Sequence, residues 1–393
     1  MPHDRKRQLL PQLEKRLRYS RVVSIQGARQ VGKSFLARVL FAKKRSGSTY
    51  LSLDLPSVRD FARDNPMNFL ESHEGRPLII DEAQKAPDLF DVIKWRVDRD
   101  SSPGQYILLG STEFSKELRI KESLTGRLSR VRLYSMNVGE CEEMDLAPSS
   151  SFLLKEKPRV TRKVVLRHFA RGGLPGIFWV HDAGLRKEAF NDWLRLTVER
   201  DIHQFPTLKV DSDLSYSVLE QIARLEEPSN PNIARALSCD VRACAKILNL
   251  LEILFVVHRL NPHPLGTGKP LYFLCDVGLT THLGANFERQ LWTWCLHEQL
   301  SQRSYGGETA SHLSFFRNSK GRVLHLIIEN QKEMGALKIL STERWDKRDL
   351  ELLKSFEKKV GQTRLRARLT VLGNERISLR KERIEMYPYE ALA

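Results

Sequence analysis

The sequence predicts an α/β protein: a parallel-sheet domain carrying a phosphate-binding loop, then a helical unit, then a second α/β unit. Three observations predict it. Gly27 to Ser34 reads GARQVGKS, with two glycines, a lysine and a hydroxyl at G-x-x-x-x-G-K-[ST] spacing. Short apolar runs alternate with helical patterns through the first 140 or so residues, the signature of a sheet buried under crossover helices. One of those runs, PLIIDEAQ, ends in two acids, Asp81 and Glu82.

The elements follow in order. RVVSI (21–25) is a short β-rich run that leads into the loop. Gly27 and Gly32 permit torsions that a β-carbon resists, so the loop from Gly27 through Ala28, Arg29, Gln30, Val31, Gly32, Lys33, Ser34 and Phe35 is the expected nucleotide-binding segment. Lys33 reaches outer phosphates as a point charge, and Ser34 offers a hydroxyl to Mg²⁺ and opens a helix whose start favours anions. That helix is SFLARVLFAKK, with Phe35, Leu36, Val39 and Leu40 at helical spacing. Further strands are expected at TYLSLD (49–54), PLIIDEAQ (77–84), QYILLGST (105–112) and VRLYSMN (131–137). Asp81 would complete the Mg²⁺ shell and Glu82 would polarise the attacking water, because a strand end delivers both to the sheet edge where ligands bind. Ser111 is the candidate γ-phosphate sensor, with a plain strand-end turn as the alternative. In SLTGRLSR, Arg127 is the candidate that stabilises charge on the transferring phosphoryl group, from its own or a neighbouring subunit. A surface salt bridge is the alternative.

Composition bounds the rest. The chain has 393 residues, 41% hydrophobic and 8% aromatic, enough for two or three domains with real cores. A net charge of +16 points to an acidic partner, most often nucleic acid, or else to a basic but inert surface. The five cysteines are odd in number and form no CxxC, which reads as reduced thiols in a cytoplasmic protein. The basic N-terminal stretch has no apolar core segment, so no signal peptide is expected. The longest apolar run, ILNLLEILFVV, carries Asn249 and Glu252 and is too short to span a bilayer.

The segments GARQVGKS, LSLDLPSVRDFARDNPMNFL, PLIIDEAQKAPDLFDVIKWRVDR, QYILLGSTEFS and SLTGRLSR occur in that order. Together they resemble the prokaryotic AAA-type (AAA+ superfamily) P-loop ATPases that carry a C-terminal domain of unknown function. Arg29-Gln30 within the loop, Gln84 after the acids and the Gly126-Arg127 pair all fit that family. The resemblance implies ATP and Mg²⁺ as ligands and an AAA-type domain over residues 1–140.

Residues 141–210 read as a helical connector. GECEEMDLAPSSSFLLKEKP is acidic and then Ser/Pro-rich, FARGGLPGIF breaks a helix at Gly172-Gly173, and DWLRLTVERDIHQF continues as a helix. Its Arg200 and Asp201 read as a structural ion pair. Residues 211–285 read as a winged-helix unit. SYSVLEQIARL, NPNIARALS and DVRACAKILNLLEILF have helix-turn-helix spacing, with Asp240 as N-cap. VVHRL and PLYFLCD would form the hairpin, with NPHPLGTGK as the wing tip. Arg242, Lys246 and Asn249 share one helix face, opposite Val241, Ala245, Leu248 and Leu251. Such a unit binds DNA or serves as a protein contact. Cys239 and Cys244 read as small core residues.

Residues 286–393 resemble a PD-(D/E)xK (restriction-endonuclease-like) fold. Glu288 matches the first acid of that pattern, but Val323 and His325 stand at the next acid positions, Lys338 at the glutamate and Leu340 at the lysine. One carboxylate cannot assemble a hard-cation site, so the resemblance implies a fold without nuclease chemistry. In TRLRARLTVL, Arg364, Arg366 and Arg368 alternate onto one strand face, either to dock a phosphate backbone or as a solvated edge. The expected function is an ATPase whose nucleotide state controls DNA binding, with a homo-oligomer in reach and no membrane contact. Alternatives are a switch acting on a protein partner and, disfavoured, an active metal-dependent nuclease.

Overall fold

A computed structural model describes residues 5–42, 47–73, 75–114, 124, 126–146, 158–204, 210–307, 312–330, 334–340, 346–361, 369–373, 376–379 and 384–392. The first part runs α1 (Leu10–Leu17), β1 (Val22–Gln26), α2 (Lys33–Phe35), β2 (Thr49–Ser52), α3 (Pro56–Asp64), α4 (Pro66–Glu71), β3 (Leu78–Asp81), α5 (Leu89–Arg99), β4 (Tyr106–Gly110) and β5 (Leu128–Arg132). All five strands are parallel, in the order β2-β3-β4-β1-β5. Side chains alternate across the sheet. On β1, Val23 and Ile25 face one core while Val22 faces the other, with Leu78, Ile80 and Leu108. A sheet buried on both faces explains why its strands read as unbroken apolar runs.

Two local expectations are corrected. The helix after the loop is α-helical only to Phe35 and continues as a π-helical turn over Leu36–Phe41. The fifth strand starts at Leu128, not Val131, and residues 133–137 leave the sheet. They run instead through a buried polar junction with the second half of the chain. There the Ser135 hydroxyl donates to the Cys275 carbonyl at 3.0 Å, the Met136 N–H to the Gly173 carbonyl at 2.7 Å and the Val138 N–H to Glu298 at 2.8 Å.

The second part begins with α6 (Val138–Cys141), α7 (Arg162–Arg171), α8 (Pro175–Phe178) and α9 (Ala183–Leu196). A π-helical turn, Thr197–Asp201, extends α9. These helices do more than connect: Leu174, Phe190, Trp193, Leu194 and Val198 belong to the same core as β1. Then come α10 (Ser212–Arg224), α11 (Asn230–Ala236), α12 (Val241–Ile253), β6 (Val257–Pro262), β7 (Leu271–Leu274), α13 (Val277–His282) and α14 (Phe287–Gly306). Asp240 caps α12 as expected, accepting from the Arg242 and Ala243 N–H groups at 2.9 Å. The buried face of α12 is Cys244, Ile247, Leu248, Leu250 and Leu251, whereas Val241 is 46% exposed and Ala245 is also exposed. The expected assignment of those last two to the apolar face is therefore wrong.

The last elements are β8 (His312–Arg317), β9 (Val323–Glu329), β10 (Met334–Ile339), α15 (Lys347–Val360), β11 (Leu369–Gly373), β12 (Ile377–Leu379) and β13 (Ile384–Pro388). They form one sheet with the preceding hairpin, in the order β12-β13-β11-β10-β9-β8-β6-β7. The β6–β7 connection is also stitched to β8: the His263 N–H donates to the Phe315 carbonyl at 2.6 Å and the Thr267 N–H to the Arg317 carbonyl at 2.9 Å. The hairpin tip is thus not a free wing, and the boundary expected at residue 285 falls inside one sheet.

Candidate functional site

The segments that follow the carboxyl ends of β1 and β3 line a cleft of about 310 Å³. The loop of residues 27–34 forms its floor. Gly27 sits where a β-carbon would meet the Leu133 carbonyl oxygen at 2.1 Å, so the chain leaving β5 presses on the loop and only glycine fits. Gln30 and Gly32 have φ of 60° and 96°, which turns the loop sharply; the glycine takes this conformation at little cost and the glutamine does not. Ala28 and Val31 are buried beneath.

Lys33 is buried, and its Nζ donates to the Gly27 and Ala28 carbonyls at 2.8 Å each. Burial lowers its pKa to about 8, while the carboxylates of Glu82 and Asp81 act the other way. Asp81 ends β3; one carboxylate oxygen accepts from the Glu82 N–H at 2.9 Å and the other from the Tyr50 hydroxyl. Burial and the Asp81 bond push the Tyr50 pKa up, while the Ser34 side chain also acts on the Tyr50 hydroxyl, in the direction that lowers its pKa. The Ser34 hydroxyl and Asp81 carboxylate are hard oxygen ligands, at neighbouring positions suited to Mg²⁺.

Glu82 adopts φ 55°, a conformation rare outside glycine and concentrated at functional positions. Its carboxylate accepts from the Ser111 hydroxyl at 3.1 Å and from the Gln84 amide, which also donates to Ser111 Oγ at 3.1 Å. The two strand ends therefore bring Glu82 and Ser111 together, with Gln84 as a clamp.

The far wall comes from α9 and its π-helical turn: Trp193, Leu196, Thr197 and Asp201. Asp201 pairs with Arg29 at 2.8 Å, not with Arg200 as expected. Burial raises the Asp201 pKa to about 6, against the pull of Arg29 and Arg200. A second arginine braces the loop from behind. Buried Arg7 donates to the Val31 carbonyl at 2.5 Å and the Tyr134 carbonyl at 2.8 Å, and pairs with Glu140 at 2.9 Å. Neither the Arg7 brace nor the α9 wall is legible, because Arg7 reaches Tyr134 and Glu140, and Asp201 reaches Arg29, across more than 100 positions and no local pattern marks them.

Arg127 lies elsewhere. It precedes β5, at the sheet edge opposite the loop, and pairs with Asp98 at 2.9 Å. Within one chain it does not reach the cleft, which contradicts the same-subunit reading. Arg242 and Lys246 are exposed on α12, far along the chain from the cleft. Arg364, Arg366 and Arg368 lie outside the described residues.

A second cleft of about 260 Å³ holds Glu288, His325, Lys338 and Asp349, with Val323 at its lining. The residues aligned to a nuclease centre are thus brought together, apart from Leu340, but as a mixed set. His325 Nε2 faces Glu288 at 3.4 Å, and its Nδ1 accepts from the Ile339 N–H at 3.0 Å. Burial lowers the His325 pKa to about 4, and it also lowers the Lys338 pKa from its ordinary value. Among the described residues no cluster of three or more His, Cys, Asp or Glu could hold a metal ion.

Residues 19–142 match the family described as AAA domain (AAA_14). The chain is 27% identical over 286 residues to "Uncharacterized protein Mb2031c" of Mycobacterium bovis and to "Uncharacterized protein Rv2008c" of Mycobacterium tuberculosis, a match covering 71% of this chain and 59% of theirs. The chain thus spans 59% of the length of those relatives. Among solved structures, the Walker-type ATPase PABY2304 of Pyrococcus abyssi aligns at 15% identity and a TM-score of 0.43, over 72% of this chain and 98% of its own. The Thermotoga maritima RuvB Holliday junction branch migration motor aligns at 17% identity and 0.32, over 64% and 88%. Residues 19–142 are thus similar to an AAA-type ATPase domain. No helix among the described residues is long and apolar enough to cross a membrane.

Proposed function

We propose that this protein hydrolyses ATP in the first cleft and that its nucleotide state controls binding to DNA in the cytoplasm. The observation that carries the ATPase reading is the Glu82–Ser111–Gln84 cluster beside buried Lys33, above a loop that admits only glycine at position 27. Lys33 neutralises phosphate charge. Ser34 and Asp81 would hold Mg²⁺, which supplies charge neutralisation at the phosphates when bound. Glu82 accepts the proton of the attacking water, and Ser111 keeps its carboxylate oriented. Gly27 to Phe35 enclose the phosphates. Arg127 acts on a neighbouring copy in a homo-oligomer.

The DNA reading draws on the net charge of +16 and on exposed Arg235, Arg242 and Lys246 along α11 and α12. Three helices followed by a hairpin fit a winged-helix unit, and the last sheet with Glu288 alone among the expected acids fits a nuclease-like fold without cleavage. A protein partner is the second reading, favoured by Val241, which leaves an apolar side chain 46% exposed beside those cations.

The test is steady-state ATP turnover with and without duplex DNA at two salt concentrations, beside Lys33→Ala and Glu82→Gln. Turnover that rises with DNA and loses the rise in high salt supports the proposal. Turnover indifferent to DNA at both salts moves the reading to a protein partner. Turnover that survives Lys33→Ala removes the ATPase assignment of this cleft.

A further inference from the structure

Asp201 is a carboxylate built into a cleft made for phosphates. Its side chain is only 5% exposed, and it pairs at 2.8 Å with Arg29, a residue of the phosphate-binding loop itself. It lines the same cleft as Lys33 and Glu82. An incoming polyphosphate would meet a fixed negative charge there, and would find one of the loop's two cations already engaged. Two anions cannot share a partly buried guanidinium without a cost in repulsion.

Asp201 also ends the π-helical turn that links the cleft to the helices beyond. Three residues earlier in the same turn, Val198 presents its carbonyl to the Ser212 hydroxyl at 3.0 Å, at the start of α10. Val198 and Ile202 pack in one core with Val218, Leu219 and Ile222 of α10. A displacement of Asp201 would therefore act on α10, the first of the three helices of the proposed winged-helix unit. π-helical turns store such adjustability in one extra residue per turn.

We propose that Asp201 is the element that reads nucleotide occupancy: it holds Arg29 in the ligand-free cleft and yields it to phosphate, moving the 197–201 turn against α10. This rests on the ATPase reading. Asp201 lowers the affinity for ATP, and the cost it imposes is the coupling between cleft and helices.

The experiment combines calorimetric titration with ATP and ADP and amide hydrogen exchange of residues 197–224. The protein, Lys33→Ala, Asp201→Asn and Arg29→Gln are compared, each checked for folding by circular dichroism. Asp201→Asn is expected to bind ATP about tenfold more tightly and ADP with a smaller gain, since ADP carries less charge. Addition of ATP is expected to change exchange in 197–224 of the unmodified protein and leave it unchanged in Asp201→Asn and in Arg29→Gln. If Asp201→Asn does not fold, the exchange result for Arg29→Gln decides alone. ATP binding that needs Lys33, with equal affinity in Asp201→Asn or with an intact exchange response in Arg29→Gln, overturns this inference and leaves the ATPase reading standing. No Lys33-dependent ATP binding at all overturns both.

Discussion

The two clefts are built alike and equipped differently. Each lies where strand ends meet a helix, and each gathers a lysine and at least two acids. In the first, Asp81, Glu82 and Ser111 are oxygen-bearing groups in one hydrogen-bonded set, and Lys33 is the buried cation of the same site. In the second, Glu288 faces a histidine whose two ring nitrogens are both engaged, and Lys338 stands where an acid would be needed. The difference teaches that a fold supplies convergence but the donor chemistry decides the site. Hard cations need several oxygens, and a neutral imidazole held by burial cannot replace a carboxylate.

The strongest way to break this contrast is Glu82→Gln. It keeps the shape of the cleft and removes the carboxylate proposed above to accept a proton from water. Turnover is expected to fall about 100-fold or more while ATP binding persists. Single-turnover kinetics alongside equilibrium binding would separate the two effects. Retained turnover would make the first cleft as inert as the second.

Next in size is a variant that breaks both clefts together. The Asp276 side chain accepts from the N–H groups of Gly173 at 2.6 Å, Gly278 at 2.8 Å and Leu279 at 3.2 Å, at the junction between the two halves. A β-carbon on Gly172 would come within 2.1 Å of this carboxylate and one on Gly173 within 1.9 Å of the Met136 carbonyl, so the junction is close-packed backbone. Asp276→Ala leaves those donors buried and unpaired, and should destabilise the protein by about 3 kcal/mol. Chemical denaturation checks this, and a loss well under 1 kcal/mol would mean the halves hold together by apolar packing alone.

How far the sequence reached follows the same division. The loop, Asp81-Glu82 and Ser111 were legible because each is a short motif tied to one strand end. The three helices and the hairpin were legible from periodicity and the Asp240 cap. Arg7, Gln84, Tyr50 and Asp201 were missed as parts of the cleft because their partners are distant in sequence, or because nothing in their types distinguishes them. Arg127 was misjudged within the chain because "TGR" gives a neighbourhood but not a sheet edge. The hairpin's union with the last sheet was illegible because β6 pairs in parallel with β8 across 50 or so residues.

A pH series sharpens the contrast further, because the clefts carry titrating groups of opposite sign. Burial lowers the pKa of His325 to about 4, and at the junction that of His168 to about 4 and His297 to about 3. Unfolded histidine titrates near 6.5, so between these values the unfolded chain binds more protons. Stability from these residues is complete above about pH 6.5 and is lost as pH falls toward 4. Asp201 behaves in reverse: its folded pKa, about 6, lies above the unfolded value, so the folded chain binds the extra proton and the contribution grows as pH falls through 6. Denaturation midpoints from pH 4 to 8 should therefore drop less steeply in His325→Gln and more steeply in Asp201→Asn. A parallel shift of both curves would deny the opposite signs.

The smallest effect is expected at Glu288, and its smallness is the point. Its side chain is 46% exposed and its histidine partner is neutral at ordinary pH, so Glu288→Gln should alter stability by under about 1 kcal/mol. ATP turnover should be unchanged, since the residue lies in the other cleft, and neither form should cut DNA with Mg²⁺ or Mn²⁺. Metal-dependent cleavage by the unmodified protein that disappears in Glu288→Ala would reverse the contrast, because a cleft with one of the expected acids would then be doing chemistry that its donor set does not support.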